Sequence, residues 1–301
     1  MPTITHKYNG DALRLDKAIH KLEPELSRNQ IKALIDDGRV HVDGSLKKAS
    51  FTVRKDMTIV IDIPSETKEI PLVHHPIELD IVYEDDDLLV VNKPSGLMTH
   101  PAKTSDEVTL LHGLLNAIDA SKFDEPMRAG VVHRLDRHTS GLLLFAKHQT
   151  VLKTLQKQLA YREIKRHYKA LVHGTFAHQK GTIDAPIGRH PAKRHTMSVV
   201  SEGKASVTHF KILESFDSTS FIECELESGR THQIRVHMQY IDHPVIGDEM
   251  YGRKSDKNPF GQYLHAYKLT FSHPTTQETL HFEAEVPVAF QEKLEGLRGD
   301  A

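Results

Sequence analysis

The chain has 301 residues, 38% of them hydrophobic and 27% charged, which supports a large cored domain plus a smaller one. A formal net charge of −2 excludes a protein coated in positive potential, so any RNA-binding cations must be gathered on one face. With no apolar run of roughly eighteen residues and one cysteine, Cys224, a transmembrane helix, an internal disulfide and a thiolate zinc cluster are excluded. The N-terminal stretch "MPTITHKYNGDALRL" lacks the basic-then-apolar pattern of a secretory signal. A reduced, cytoplasmic protein without membrane association is therefore expected. The 22 histidines are dispersed and form no metal-ligand frame such as H-E-x-x-H, so solvated or hydrogen-bonded imidazoles are expected.

Residues 12–22, "ALRLDKAIHKL", carry Leu15, Ala18, Ile19 and Leu22 at helical spacing. The next helix is predicted from "SRNQIKALIDDG", where Ser27 and Gln30 form a capping-box pattern, Ile31, Leu34 and Ile35 an apolar stripe, and Gly38 the stop. "VHVDGSL" reads as a strand entering an Asp-Gly turn, and "MTIVIDIP" as a half-buried strand. Together these make a compact α/β module over residues 1–64. The proline-rich, charged stretch that follows marks a linker over 65–76.

Residues 77–298 have a different pattern. A strand, Leu88–Asn92, is stopped by Pro94 and Gly96. Helical spacing covers 107–118 and 151–162, with Thr104 and Thr150 as N-cap candidates. Beyond residue 166 short strands dominate: "HYKALVHGTF", "ASVTHFKILESF", "SFIECELES", "HQIRVHMQYI" and "HAYKLTFS". Many strands without regularly alternating helices predict an α+β domain built on a largely antiparallel mixed sheet.

The chemistry concentrates in "VVHRLDRHTSGLLLFAK", residues 131–147. Asp136 stands between Arg134 and Arg137, and nearby positive charge favours its ionised form. An ion-pair network pinning a loop is the plain alternative. Against it, the cluster immediately precedes an oily strand, where sites are commonly built. The turn Thr139-Ser140-Gly141 also suits close approach of backbone to a ligand. Downstream, "SGRTHQIRVH" reads as a strand with Gln233, Arg235 and His237 on one face and Ile234 and Val236 on the other. It is a source of a cationic partner for Asp136. Arg230, just before it, suits a phosphate contact.

The run "HRLDRHTSGLLLFAK" resembles the signature of the RluA-type pseudouridine synthases, which isomerise uridine within RNA. Further blocks fall in that family's order: "YEDDDLLVVNKPSGLMTHP" before it, then "RHYKALVHG", "SGRTHQIRVHM", "HPVIGDEMYG" and "LHAYKLTFSHP". The front module, through "RLDKAI" and "SRNQIKALIDDGRVHVDG", resembles the S-four-type RNA-binding domain, and the domain order is similar to the RluD-like branch. Departures are slight: Arg166 stands where lysine is commoner, and the hairpin tip is Asp43-Gly44 rather than Asn-Gly.

The resemblance implies that Asp136 is the catalytic carboxylate and that Arg235 pairs with it. It implies that Tyr168 packs on the target uracil and serves as the base for its carbon-five proton, and that Arg134 enters the RNA stack. A packed core tyrosine is the default reading of Tyr168 without it. Target atoms in a stacked helix are inaccessible, so the nucleotide must be extruded, at a cost of roughly a few kcal/mol. The carboxylate then has three routes: addition to the sugar, addition to the ring, or abstraction of a sugar proton. Nothing is oxidised, reduced or hydrolysed overall, so no metal and no cofactor is expected. Arg28, Lys32, Arg39, Lys47 and Lys48 are candidates for a phosphate-binding face, with plain solvation the alternative. Lys153, Lys157 and Arg162 read as a solvated helix face. The expected partner is structured RNA, foremost 23S large-subunit ribosomal RNA with transfer RNA as the alternative, and a monomer is expected. Two rivals remain. An aspartyl-phosphate phosphatase would want a second acid for magnesium where Arg137 and His138 stand. A silent RNA-binding assembly factor would not need Asp136, Tyr168 and Arg235 together.

Overall fold

Two separate apolar cores divide the chain: one gathers residues between Tyr8 and Ile61, the other residues from Leu88 onward. Contacts split accordingly into Met1–Pro71 and Leu72–Ala301. The computed structural model describes residues 3–26, 28–63, 72–101, 107–193 and 195–299. The expected cap at Ser27, the cap at Thr104 and most of the expected linker lie outside the described residues.

The first unit runs β1 (Thr3–Lys7), β2 (Leu13–Arg14), α1 (Leu15–Leu22), α2 (Arg28–Asp36), β3 (Val40–Val42), β4 (Ser45–Leu46), β5 (Thr52–Val53) and β6 (Thr58–Asp62). Its sheet has the order β1-β6-β3-β4, with β2 and β5 paired separately. Leu15, Ala18 and Ile19 of α1 and Ile31, Leu34 and Ile35 of α2 are buried, as their spacing requires. The first helix starts at Leu15 because Leu13 and Arg14 pair with Val53 and Thr52. Strand β1 went unread, since only half-buried Ile4 and His6 alternate with exposed residues. The β3–β4 hairpin turns at Asp43 (φ 48°) and Gly44 (φ 73°), the paired left-handed conformations that two-residue hairpins favour.

The second unit begins with β7 (Asp80–Glu84), β8 (Leu88–Lys93), α3 (Leu110–Leu114), β9 (Ser140–Ala146), α4 (Gln149–Ala160) and β10 (Lys165–His173). It continues with β11 (Lys180–Asp184), β12 (Ile187–Arg189), β13 (Met197–Val199), β14 (Val207–Ser215), β15 (Thr219–Leu226) and α5 (Gln233–Tyr240). It ends with β16 (Leu264–Ser272), β17 (Thr279–Glu283) and α6 (Val288–Gly299). The main sheet runs β11-β14-β15-β10-β16-β9-β8-β7, with β17 added to β16, and only the β9–β16 pair is parallel. This is an α+β fold on a mixed, largely antiparallel sheet.

Every residue of β9 is buried, as expected for a central strand with both faces covered. Its start is pressed against β16 at Gly141 (φ 112°), where a Cβ would lie 2.3 Å from the Ala266 carbonyl oxygen. Only glycine permits that approach.

Three expectations change. The helix over 107–118 is confined to Leu110–Leu114, and α4 has His148, not Thr150, at its N-cap. Helix α6 was missed because only Phe290 and Leu294 of it are buried, a stripe too narrow to read. The largest correction is "HQIRVHMQYI", which is helix α5 rather than a strand. His232 precedes it in a left-handed conformation (φ 59°), and residues 233–238 are all buried. With every side inside, the polar residues mark internal bonds and not a sheet face.

Candidate active site

The loop 133–139 is fixed from below by the segment after β8. Lys93, fully buried, donates to the carbonyls of Pro94 (2.8 Å), Leu97 (2.7 Å) and Arg137 (2.9 Å). Burial pushes its pKa down to about 7, with the Asp136 carboxylate acting in the opposite direction. Three carbonyl acceptors match the three protons of an ammonium. Thr99 adds a hydroxyl bond to the Leu135 carbonyl at 3.0 Å, and Gly96 N–H donates to the Arg137 carbonyl at 2.9 Å. The turn Thr139-Ser140-Gly141 is anchored inward rather than offered to a ligand. Thr139 Oγ1 accepts from Gln262 (3.0 Å), and the Ser140 hydroxyl donates to His265 Nδ1 (2.9 Å). Asp136 thereby sits on a loop held from both sides, its side chain 17% exposed.

Neither flanking arginine bonds it. Arg137 bonds Glu107 (2.6 Å) and the Gly96 carbonyl (3.2 Å), and Arg134 is exposed. The partner of Asp136 is Arg235 from α5, whose Nη1 donates to Oδ2 at 2.8 Å. The other edge of the same guanidinium grips Asp248 in two bonds, Nε to Oδ2 at 2.6 Å and Nη2 to Oδ1 at 2.9 Å. Burial disfavours the Arg235 charge, but Asp248 and Asp136 outweigh it and hold its pKa above the ordinary guanidinium range. For Asp248, burial is likewise outweighed, by Arg235 and by the amides of Tyr251 and Met250, and its pKa is lowered. Tyr251 places its ring 5.0 Å below the Arg235 guanidinium and bonds His232 Nδ1 at 2.8 Å. His232 Nε2 stands 3.8 Å from Asp136 Oδ1, and burial lowers its pKa, which leaves the imidazole neutral at neutral pH.

Asp136, Arg235 and Tyr168 line one open cleft of about 520 Å³, with Arg134 and Arg230 also on its wall. Tyr168 belongs to β10, opposite a β-bulge in β16, and is 5% exposed. Bulges commonly re-aim side chains beside functional sites. Burial raises the pKa of its phenol, Asp136 adds to the rise, and Arg166 opposes it. Arg230 is exposed and donates to the Ala205 carbonyl at 3.3 Å. In the first unit, Arg28, Lys32 and Lys48 are exposed, Arg39 lies 3.7 Å from Asp62, and Lys47 stands 5.3 Å over the Phe51 ring. Among the described residues no group of three or more His, Cys, Asp or Glu side chains is placed to hold a metal ion.

The sequence profile of the family "RNA pseudouridylate synthase" matches residues 87–240, and that of the S4 domain matches residues 13–59. An "Uncharacterized RNA pseudouridine synthase" of Bacillus subtilis (strain 168) is 44% identical over 98% of this chain and 97% of its own length. The chain belongs to the RNA pseudouridylate synthase family. It is a pseudouridine synthase, an isomerase, preceded by an RNA-binding S4 domain. A "Ribosomal large subunit pseudouridine synthase D" of Vibrio vulnificus (strain CMCP6) is 40% identical over 96% of this chain and 92% of that protein. The solved structure "Human RNA Pseudouridylate Synthase Domain Containing 1" is 28% identical, covers 73% of this chain and 95% of its own, and has a TM-score of 0.56.

Two residues of this candidate site escaped sequence reasoning. Asp248 lay within the quoted block "HPVIGDEMYG" but carried no visible role; its signal is an acid in a glycine-bounded turn whose carboxylate accepts the amides two and three residues on. Lys93 was passed over as the end of a strand. Its signal is a lysine closing the oily run "LLVVNK", where a charge needs an internal partner.

Proposed function

We propose that this pseudouridine synthase isomerises uridines in structured large-subunit ribosomal RNA, with Asp136 as the catalytic carboxylate. The supporting observation is the Asp136–Arg235–Asp248 chain opening onto the cleft that Tyr168 also lines. The ribosomal assignment rests on relatives named ribosomal large subunit pseudouridine synthase D.

In this reading the target uridine is extruded into the cleft and Arg134, exposed at its rim, fills the vacated space in the stack. Asp136 acts as an anion on the sugar or the base. Arg235 positions it, and Asp248 keeps Arg235 in place. Tyr168 supplies the platform on which the uracil packs, an interaction worth about 1–3 kcal/mol. Its phenol oxygen is also placed to take up the carbon-five proton, against a burial that raises its pKa. Arg230 contacts phosphate. Residues 1–64 form an RNA-binding domain whose Arg28, Lys32, Arg39, Lys47 and Lys48 meet backbone phosphates, residues 65–76 a linker, and residues 77–298 the catalytic domain. The protein works as a cytoplasmic monomer.

The test maps pseudouridine in a 23S ribosomal RNA transcript incubated with the wild type and with Asp136→Asn. Site-specific product with the wild type, and none with a variant whose RNA affinity stays within a small factor, is expected. Turnover by Asp136→Asn would refute the role of the carboxylate. Product only in transfer RNA would move the substrate.

A further inference from the structure

Most charged residues lining the cleft are matched. Asp136 holds Arg235, and Glu227 accepts from Arg162 and bonds His209. Arg134 is left open but stands exposed at the rim; Arg166 is the buried exception. Its residue is only 6% exposed, yet none of its guanidinium nitrogens has a hydrogen-bond or ion-pair partner among the described residues, and its Nε is wholly buried. Its Nη1 and Nη2 are not sealed in the same way, so the end of the fork opens onto the cleft, where an incoming anion can answer a charge that no protein group meets.

A second orphan donor lies on the same wall. His133 accepts the Leu144 amide at Nε2 (3.3 Å), so its neutral ring carries the proton on Nδ1, which is buried and unpartnered. Burial, then the nearby Arg166 charge, pushes the His133 pKa down to about 3. The loop Ser228-Gly229-Arg230 closes over the arginine. A Cβ on Gly229 would stand 2.8 Å from Arg166 Nη1, so glycine there lets the backbone pass over the guanidinium. Arg166 and Tyr168 are two residues apart on β10 and share a face, so roughly 7 Å separates their positions along the strand. That is about the span from a uracil ring across its ribose to a phosphate.

We propose that Arg166 is a binding residue that clamps the phosphodiester adjoining the target uridine, with Arg230 flanking it at the rim. This rests on the reading above that Tyr168 carries the uracil. A charged, bidentate acceptor is favoured over a neutral uracil carbonyl because the fork is planar and its charge is otherwise unanswered.

The experiment uses a synthetic stem-loop of the site mapped in the transcript. The loop is made with an ordinary backbone and with a single neutral methylphosphonate immediately 5′ or 3′ of the target. Equilibrium binding and single-turnover conversion are measured for the wild type, Arg166→Met and Arg166→Lys. One of the two neutral linkages should weaken wild-type binding about 10- to 100-fold, the scale of one charge-assisted contact. Arg166→Met should lose as much on ordinary RNA and nothing further on that linkage, while Arg166→Lys recovers part. Unchanged wild-type binding to both linkages, or losses that multiply at both, would overturn the clamp. The free Arg166→Met protein should melt no lower than the wild type, because it loses an unmatched charge; a lower melting temperature would mark the arginine as structural. Should Tyr168→Leu bind and convert the ordinary stem-loop as the wild type does, the uracil platform falls, while the methylphosphonate cycle still decides the clamp.

Discussion

The two units handle charge in opposite ways. In the second, Arg235 is buried between two carboxylates and Lys93 beneath three carbonyls. In the first, Arg28, Lys32 and Lys48 stand in solvent. A buried charge whose partners are fixed is held in one orientation, so for Arg235 and Lys93 burial converts charge into geometry. An exposed charge costs little and fixes nothing, but it adds its share of counterion release when it meets a phosphate. Chemistry requiring one carboxylate in one orientation belongs to the first kind of environment, and sequence-tolerant RNA contact to the second. Loss of one buried partner should therefore be severe, and loss of one exposed cation mild.

The severest case is Asp248→Asn. Arg235 would lose its bidentate partner while buried, at a cost of about 3 kcal/mol of folding stability, and conversion should fall by about 100-fold or more as Asp136 loses its support. Asp136→Asn is the informative contrast. It should be at least as damaging to turnover, yet cost less than half as much stability, because Arg235 keeps Asp248. Urea unfolding of both variants checks this, and equal stability losses would break the contrast between positioning and acting residue.

Tyr168 comes next. Tyr168→Phe retains the ring, and conversion within about tenfold of the wild type is expected if packing is its main contribution. Tyr168→Leu removes the platform and should cost about 10- to 100-fold in the half-saturating RNA concentration. A Phe variant as inactive as Asp136→Asn would instead make the hydroxyl the proton acceptor.

Acid stability probes the same burial from another side. His265 bonds the Ser140 hydroxyl through Nδ1 and the Ala284 carbonyl through Nε2, a neutral tautomer, and burial lowers its pKa to about 4. Burial, then Arg166, lowers His133 to about 3. In the unfolded chain both titrate near about 6.5. Between those values the unfolded state binds more protons, so stability is complete above pH 6.5 and drains as pH falls towards 4 and 3. His265→Gln keeps an acceptor and a donor but does not titrate. Its unfolding free energy should fall less steeply between pH 6.5 and 4, by up to about 1.4 kcal/mol per pH unit.

What was legible in the sequence follows the same division. Elements with one dry and one wet face announced themselves: α1, α2, β6 and the Asp43-Gly44 hairpin are periodic because solvent covers their other side. Helix α5 was misread because its first six residues have no wet side. Gln233, Arg235 and His237 are polar at alternate positions, as in a half-exposed strand, but each is bonded inside: Gln233 to Thr208 and Val207, Arg235 to two carboxylates, His237 to Thr208 and Ala185. Periodicity measures exposure, and here there was almost none to measure. Asp136, Tyr168 and Arg235 were nameable only because their motifs matched a family. Asp248 and Lys93 carry only faint local signals, a carboxylate in a glycine-bounded turn and a lysine closing an oily run, because the bonds that tie them to the site span 13 and 44 residues.

The smallest expected effect falls on the first unit, and it sharpens the comparison most because it predicts near-silence in one measurement and a signal in another. Lys47→Ala with Lys48→Ala removes one exposed cation and one half-buried cation 5.3 Å over the Phe51 ring, so folding stability should fall by no more than about 1 kcal/mol. Conversion at saturating RNA should be unchanged, since the cleft is lined by residues of the second unit alone. Affinity should fall by about tenfold or less, and the slope of log affinity against log salt should flatten by about 1.4 to 1.8. A flattened slope with unaltered maximal conversion identifies these lysines as phosphate contacts. An unaltered slope identifies them as solvated bystanders and shifts the burden of RNA binding to Arg28, Lys32 and Arg39. A loss of maximal conversion would mean that these lysines help position the target, and that the two ways of using charge are not separated by unit after all.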